Sequence, residues 1–270
     1  EFYGKTPGEM NRINNNQTIY SENELRIIHT YFNQKDKWTK KSIENTVTMG
    51  SSNLITVFPE TSLGLNPSSP ENWLVGYIRR DQNKFYNSIN YNGFTYDKKI
   101  LVPFGEYFPL SSLMNILFSE NKFFENELTK GSSDQVFKAN ILPLICYEVI
   151  FPNFVRNSIS NNTNLLVNIS NDGWFGNFSG PRQHFTHALF RSIELGIPLV
   201  RSSNKGFSGL ISPIGEILNV TNIGKTTYLD VKIPKKLETT VYREYGNLLA
   251  YFLIVLFFII GYAIRFKQNS

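Results

Sequence analysis

Seventeen consecutive residues near the end of the chain, Leu248–Ile264 (LLAYFLIVLFFIIGYAI), carry no charge, and no other feature restricts the possible folds so strongly. As a helix rising about 1.5 Å per residue, the run reaches about 26 Å, close to a hydrocarbon core of about 30 Å. A helix packed on a domain core carries an apolar stripe; here apolar residues occupy every face. Tyr242, Tyr245 and Tyr262 flank the run as interfacial aromatics, and Arg265 and Lys267 close it. Its position excludes a cleaved signal peptide. The pattern predicts a transmembrane helix over residues 245–265. Its orientation stays open: Lys232, Lys235, Lys236 and Arg243 precede the run, and a large preceding domain weakens any rule based on flanking charge.

The rest of the chain reads as globular. With 270 residues there is room for one large domain with a full core, or for two small ones. Apolar residues at 41% and aromatics at 14% exclude disorder and a collagen-like fibre. One Cys excludes an intramolecular disulfide scaffold and a cysteine-cluster metal site. A net charge of +5, spread without any run of five basic residues, gives no footprint for nucleic acid. Residues 1–24 are polar and Asn-rich, begin at Glu1 rather than Met, and contain Gly4, Pro7 and Gly8. They read as a linker, with a further segment expected upstream.

Between 25 and 240, short apolar runs alternate with polar stretches. Leu25–Thr30, Leu54–Phe58, Trp73–Ile78, Ile100–Phe104, Ile141–Cys146, Leu165–Ile169, Pro198–Arg201 and Phe207–Ile211 have the composition of strands. Lys40–Met49 and Arg182–Leu195 are long enough for helices, the second with Phe185, Leu189 and Ile193 on one face. Strands and helices sharing one core imply a layered α/β domain.

The reactive residues gather at the ends of these strands. Cys146 closes ILPLIC and is followed by Tyr147 and Glu148, so its thiol sits at a strand-to-helix corner where backbone N–H groups could hold an oxyanion. A free Cys is just as commonly an inert core residue. A nucleophilic thiol needs a proton acceptor. His184 offers one, which would make a Cys146–His184 dyad. His184 and His187, one turn apart, form a weak zinc pair at best, and packing roles are the ordinary fate of such histidines. Carboxylates offer another acceptor. Glu60 ends LITVFPE and Glu106 ends ILVPFGE, each after an apolar run where an unpaired carboxylate would be costly; Lys98 lies just before the second. Glu as base, Lys as oxyanion partner and Cys as nucleophile make a self-consistent acyl-transfer set.

VFPET (57–61), YDKKILVPFGEY (96–107) and ICYEVIFP (145–152) resemble the carbon–nitrogen hydrolase (nitrilase) superfamily, an αββα sandwich with a Glu–Lys–Cys triad. The longer blocks LVPFGEYFPL, NISNDGWFGNFSGPRQHF and RSIELGIPLVRSSNKGFSG narrow the resemblance to the bacterial apolipoprotein N-acyltransferase family, from about Leu25 through the terminal apolar run. The resemblance implies Glu60 as general base, Lys98 as the oxyanion-stabilising cation and Cys146 as nucleophile. Lys98 is preferred to Lys99 by its ungapped spacing back from FGE. It implies that Glu106 and Glu148 are further acidic residues needed for activity, with Glu106 steering Lys98 and Cys146. It places Tyr147 against an acyl chain, and Trp174 and Phe175 in a loop at the pocket mouth. His184 then becomes structural, and neither a metal nor a cofactor is expected.

The implied reaction moves an acyl chain from a phospholipid to the Cys146 thiolate, then to the N-terminal amine of a diacylglyceryl-modified apolipoprotein, on the outer (periplasmic) face of the bacterial inner membrane. The chain departs from that family in two ways. Several membrane helices expected upstream are absent from the sequence, and the interval from Glu60 to Lys98 is short, with TSLGLNPSSPENW where the family usually has a helix. Two other readings stay open: a membrane-tethered amidase or nitrilase acting on a small C–N substrate, and a catalytically silent anchoring domain.

Overall fold

The computed structural model describes residues 20–33, 40–65, 69–109, 127–132, 140–176, 179–222 and 224–268. Two sheets dominate. One carries six strands in the order β11-β1-β2-β3-β4-β5; the other carries five, β10-β9-β8-β7-β6. In the first, β1 (Tyr20–His29), β2 (Ile55–Val57) and β3 (Trp73–Asp81) run parallel, β4 (Lys84–Tyr91) and β5 (Phe94–Asp97) continue as an antiparallel meander, and β11 (Thr227–Pro234) closes antiparallel on β1. In the second, β6 (Ile141–Ile145), β7 (Leu165–Asn171) and β8 (Leu199–Asn204) are parallel, and β9 (Gly209–Ile211) and β10 (Ile217–Val220) return antiparallel.

Alternation along the strands sorts side chains into three apolar layers. Leu25, Ile27, Val57, Leu74, Ile145, Val167, Ile169 and Val200 fill the space between the sheets. Their neighbours Ile28, Phe58, Trp73 and Val75 point the other way, where Ile43 and Met49 of helix α1 (Lys40–Gly50) cover them. Leu144, Leu166 and Leu199 face helices α2 (Pro152–Ser158) and α3 (Gly180–Leu195) through Val155, Phe185 and Ala188. The architecture is an αββα sandwich.

Several expectations need correction. Ile100–Phe104 is not a strand: Pro103 has no N–H to give a ladder, and Gly105 N and Glu106 N both bond Val102 O, at 3.3 and 2.9 Å, folding the segment into a turn. On α3, Phe185 is buried but Ile193 is exposed, because the helix turns Ala188, Ser192 and Leu195 inward instead. Cys146 does not finish β6; it opens a 3-10 turn, Cys146–Ile150. β1 takes in Tyr20–Glu24, the end of the stretch read as a linker, while residues 1–19 lie outside the described set.

The chain leaves the sandwich through a short helix α4 (Val241–Tyr245) and continues as helix α5 (Leu248–Gln268). The described apolar side chains of α5, from Leu248 to Ile264, are exposed. With Ala263 and the side chains beyond Arg265 outside the described set, no helix among the described residues is long and apolar enough to cross a membrane.

Candidate active site

Glu60 follows β2 by three residues, in a turn that continues through Thr61 at φ 49°, a left-handed value that a β-branched residue rarely adopts. The turn crosses β3 at Gly76, where a Cβ would lie 2.8 Å from Pro59 O and 2.9 Å from the Glu60 Cα. The carboxylate is buried and surrounded by donors. Asn87 Nδ2 donates to Oε1 at 2.6 Å, the Asn171 backbone N–H donates to Oε2 at 2.8 Å, and Lys98 Nζ stands 3.6 Å from Oε1.

Lys98 comes directly after β5, its N–H donating to Asn87 O at 2.8 Å. Its side chain is wholly buried, and Nζ donates to Glu106 Oε1 at 2.6 Å. Burial pulls the ammonium pKa down, but Glu60, the Cys146 sulfur and Glu106 outweigh it and leave Lys98 above the ordinary lysine range. Lys98 therefore stays a cation. Glu106 is tied to its own turn, its Oε2 accepting from Val102 N at 2.8 Å. Lys99 instead carries its ammonium over the Tyr96 ring, 5.6 Å from the centroid.

Cys146 adopts φ 48°, so β6 breaks sharply at the thiol. Glu148 fixes the break. Its Oε2 accepts from Ile145 N at 2.8 Å, while Oε1 accepts from Lys99 N at 2.6 Å and Tyr96 Oη at 2.9 Å. One buried carboxylate thus joins the residue before the thiol to the residue after Lys98. Burial raises the Glu148 pKa against the pull of these donors. The Cys146 thiol is pushed up to about 12, by burial first and then by the Glu60 charge, with Lys98 opposing. At neutral pH it holds its proton and needs a base to remove it.

A cavity of about 550 Å³ is lined by Glu60, Lys98, Glu106 and Cys146 together with the apolar Ile78, Val102, Leu128 and Ile150. Tyr147 also lines it, its ring edge-on to Phe151 at 4.9 Å, and Trp174 and Phe175 stand at its rim with Trp174 76% exposed. Glu148 lies beneath rather than inside the cavity. The Cys146–His184 dyad does not form: His184 Nε2 faces the Cys146 carbonyl oxygen at 3.0 Å, and Nδ1 faces Asp172 Oδ1 at 2.8 Å. His184 and His187, at best a weak zinc pair by sequence, gain no third ligand: among the described residues no three His, Cys, Asp or Glu could hold a metal ion.

Sequence reasoning missed Asn87, Asn168, Asn171, Asp172 and Arg201. Arg201 offered a signal, because a fully buried Arg inside a strand requires a buried acid, and Asp172 supplies it at 2.9 Å. Burial raises the Asp172 pKa, but Arg201 and His184 overcome this and hold its carboxyl well below the usual range.

Known proteins share this fold and stretches of this sequence. Residues 70–242 match the carbon–nitrogen hydrolase family. An apolipoprotein N-acyltransferase of Wigglesworthia glossinidia brevipalpis is 33% identical over 88% of this chain and 54% of its own length. One from Rickettsia prowazekii is 37% identical over 67% of this chain and 38% of its own. The chain therefore spans about half the length of the curated relatives it matches, or less. Among solved structures, Saccharomyces cerevisiae Nit3, of the nitrilase superfamily, superposes with a TM-score of 0.56 at 14% identity, covering 81% of this chain and 92% of that one. A mutant amidase from Nesterenkonia sp. AN1, carrying an acetamide moiety added at its active-site cysteine, gives 0.53 at 13% identity, covering 80% and 92%. At such identities the structures speak for the fold alone, and the family match, over well more than half the chain, speaks for the lineage: this chain belongs to the carbon–nitrogen hydrolase family.

Proposed function

We propose that the domain is the catalytic part of a membrane N-acyltransferase that matures lipoproteins, with Glu60, Lys98 and Cys146 as its catalytic residues. The observation that carries this reading is the cavity itself: a carboxylate, a buried cation and a thiol share one cavity with the apolar side chains of Ile78, Val102, Leu128 and Ile150. Glu60 takes the thiol proton, and the Cys146 sulfur attacks the ester carbonyl of a phospholipid acyl chain. Lys98 stabilises the oxyanion. The lysophospholipid alkoxide leaves with the proton from Glu60, and a thioester remains. The amine of a diacylglyceryl-cysteine at the N-terminus of an apolipoprotein then attacks the thioester, Glu60 accepts its proton, and the thiolate leaves. Both half-reactions need only proton transfers and oxyanion stabilisation, so no cofactor enters.

Glu106 sets the Lys98 ammonium, and Glu148 sets the spacing between Lys98 and Cys146. Tyr147, Trp174 and Phe175 contact the acyl chains. Helix α5, with exposed apolar side chains from Leu248 onward, anchors the domain to the bilayer that holds both substrates, in a bacterial inner membrane with the cavity on the periplasmic face. The likeness of the longer relatives supports this assignment.

The test is covalent labelling. A phospholipid with a labelled acyl chain should leave a hydroxylamine-sensitive label on the protein, absent in Cys146→Ala; label retained by that variant refutes the thioester. A second reading, an amidase acting on a small substrate, draws support from Asn171, Gln183 and His187, polar residues that also line the cavity. Release of the label to water at the same rate with and without a lipopeptide amine would favour it.

A further inference from the structure

Beneath the nucleophile lies a closed ring of buried polar groups that the reaction above does not use. His184 Nε2 donates to the Cys146 carbonyl oxygen at 3.0 Å, and Asn168 Nδ2 approaches the same oxygen at 3.5 Å. His184 Nδ1 meets Asp172 Oδ1 at 2.8 Å; Arg201 Nη2 donates to both Asp172 oxygens at 3.0 and 2.9 Å. Arg201 Nη1 returns to Asn168 Oδ1, which closes the circuit. All four side chains are buried, and Asn168, Asp172 and Arg201 show no exposure at all. Gly206 backs the ring, since a Cβ there would run into Asp172 Oδ2 and Ser203 Oγ.

A ring this deep is expensive to desolvate, and replacing it with apolar residues would cost the fold little. Its focus is one atom, the carbonyl oxygen of a residue held at φ 48°. Left-handed backbone at a non-Gly residue is strained and relaxes unless its surroundings hold it. No cis peptide occurs among the described residues, so the Tyr147 N–H points opposite to the Cys146 carbonyl. Pulling that carbonyl towards α3 therefore turns the Tyr147 N–H away from α3. The Cys146 carbonyl that His184 Nε2 faces can only accept, so that nitrogen carries the ring hydrogen and donates.

We infer that His184, clamped by Asp172 and Arg201, is a positioning residue that sets the Cys146–Tyr147 peptide plane, and so aims the backbone donor beside the sulfur at the oxyanion formed in acyl transfer. The inference rests on Cys146 being the acyl-accepting nucleophile. Its consequence is a split between two reactions of one thiol. Attack on an ester carbonyl develops an oxyanion and needs the aimed N–H. Displacement of iodide from iodoacetamide develops none and needs only the thiolate.

The full chain in detergent serves for the test, in wild type, His184→Ala and His184→Gln, with labelled diacyl phospholipid for thioester formation and iodoacetamide for alkylation. His184→Ala should slow acylation about 100-fold while alkylation stays within about twofold. His184→Gln, which keeps a side-chain N–H donor, should recover a large part of the loss. Thermal unfolding identifies a variant that has simply lost its fold, and the Gln variant then carries the comparison. Equal loss in both reactions with an intact unfolding transition, or no loss in either, overturns the positioning role. A wild-type protein that alkylates but never acquires acyl label overturns the underlying acyltransferase reading and this inference with it.

Discussion

Glu60→Gln should make the thiol more reactive and the enzyme less active at once. In the folded protein the Cys146 thiol is pushed up to about 12 by burial and by the Glu60 charge, with Lys98 opposing. Glu60 and the sulfur flank one ammonium, and two charges about 5 Å apart at an effective dielectric near 20 repel by about 3 kcal/mol, or about two pKa units. Removing the carboxylate charge should therefore bring the thiol down by about that amount and raise the thiolate fraction near pH 8 by about 100-fold. A less basic thiolate is a weaker nucleophile, with a Brønsted slope of about 0.4–0.5, which takes back nearly tenfold. The net expectation is alkylation by iodoacetamide about tenfold faster than wild type. Acyl transfer, which loses its general base, should fall about 100-fold or more. The chain has one Cys, so mass spectrometry of the intact protein reads alkylation without ambiguity. Slower alkylation in Glu60→Gln would refute the electrostatic account and make Glu60 the obligatory proton acceptor for any reaction of the thiol.

Lys98→Met should act in the opposite sense on the thiol, slowing both alkylation and acylation, because the cation that favours the thiolate is gone; the same mass measurement reads it. Glu148→Gln must set an amide N–H against one of the N–H donors now facing the carboxylate, such as Ile145 N at 2.8 Å. A buried orphaned donor costs about 1–3 kcal/mol, and the melting temperature should drop by roughly 3–10 °C in scanning fluorimetry. The depressed carboxyl of Asp172 stabilises the fold above its ordinary value of 3.8, and that contribution disappears as pH falls through the lower folded value. Asp172→Asn should thus be less stable than wild type at pH 7 and show a flatter acid limb in urea unfolding below pH 4. Truncation after Arg243 should move the protein from the membrane pellet to the supernatant on ultracentrifugation.

What the sequence made legible follows the physics of each segment. ILPLIC announces a buried strand, and the chain's one thiol closes that run, but composition alone left a reactive Cys146 and an inert core Cys146 equally open. Lys98 was hidden. Its strand, FTYD, is four residues long and ends on Asp97, which is buried against Ser88 Oγ at 2.5 Å and Arg79 Nη2 at 2.7 Å. Such a strand has neither length nor alternation to betray it, and only the family resemblance, through its spacing back from FGE, implied this lysine. Asn87 was hidden for the same reason: KFYNSINY buries Asn87 and Ser88 beside Ile89, so polarity there masks a central strand. The opposite error came at Ile100–Phe104. Its apolar residues imitate a strand, yet the Glu106 carboxylate takes the Val102 N–H and Pro103 has none to offer, so the segment curls into the turn that carries Glu106 to Lys98.

The placement of α3 links the chemistry to the proposed anchor. Its first two turns, with Gly180, Gln183, His184 and His187, line the cavity, and its 16 residues run about 24 Å to Leu195. At that far end the chain leading to α5 is bound tightly: Leu237 N donates to Gly196 O at 2.8 Å, and Thr240 Oγ1 donates to Glu194 O. Arg156 of α2 then grips the carbonyls of Tyr242 and Arg243 at 3.0 Å and of Glu244 at 2.6 Å, with Gly246 leaving room for its guanidinium. The point from which α5 departs is thus fixed to the same helix that forms the cavity wall. A loosely tethered catalytic domain would need none of these bonds, since a flexible connection holds an enzyme near a surface equally well. Under the proposed function a rigid exit holds the cavity at a set height and tilt, as acyl chains entering sideways from a bilayer would require. Between the two ends of α3, Phe190 and Ile193 are exposed, apolar side chains on the stretch that joins the cavity to the segment leading to α5.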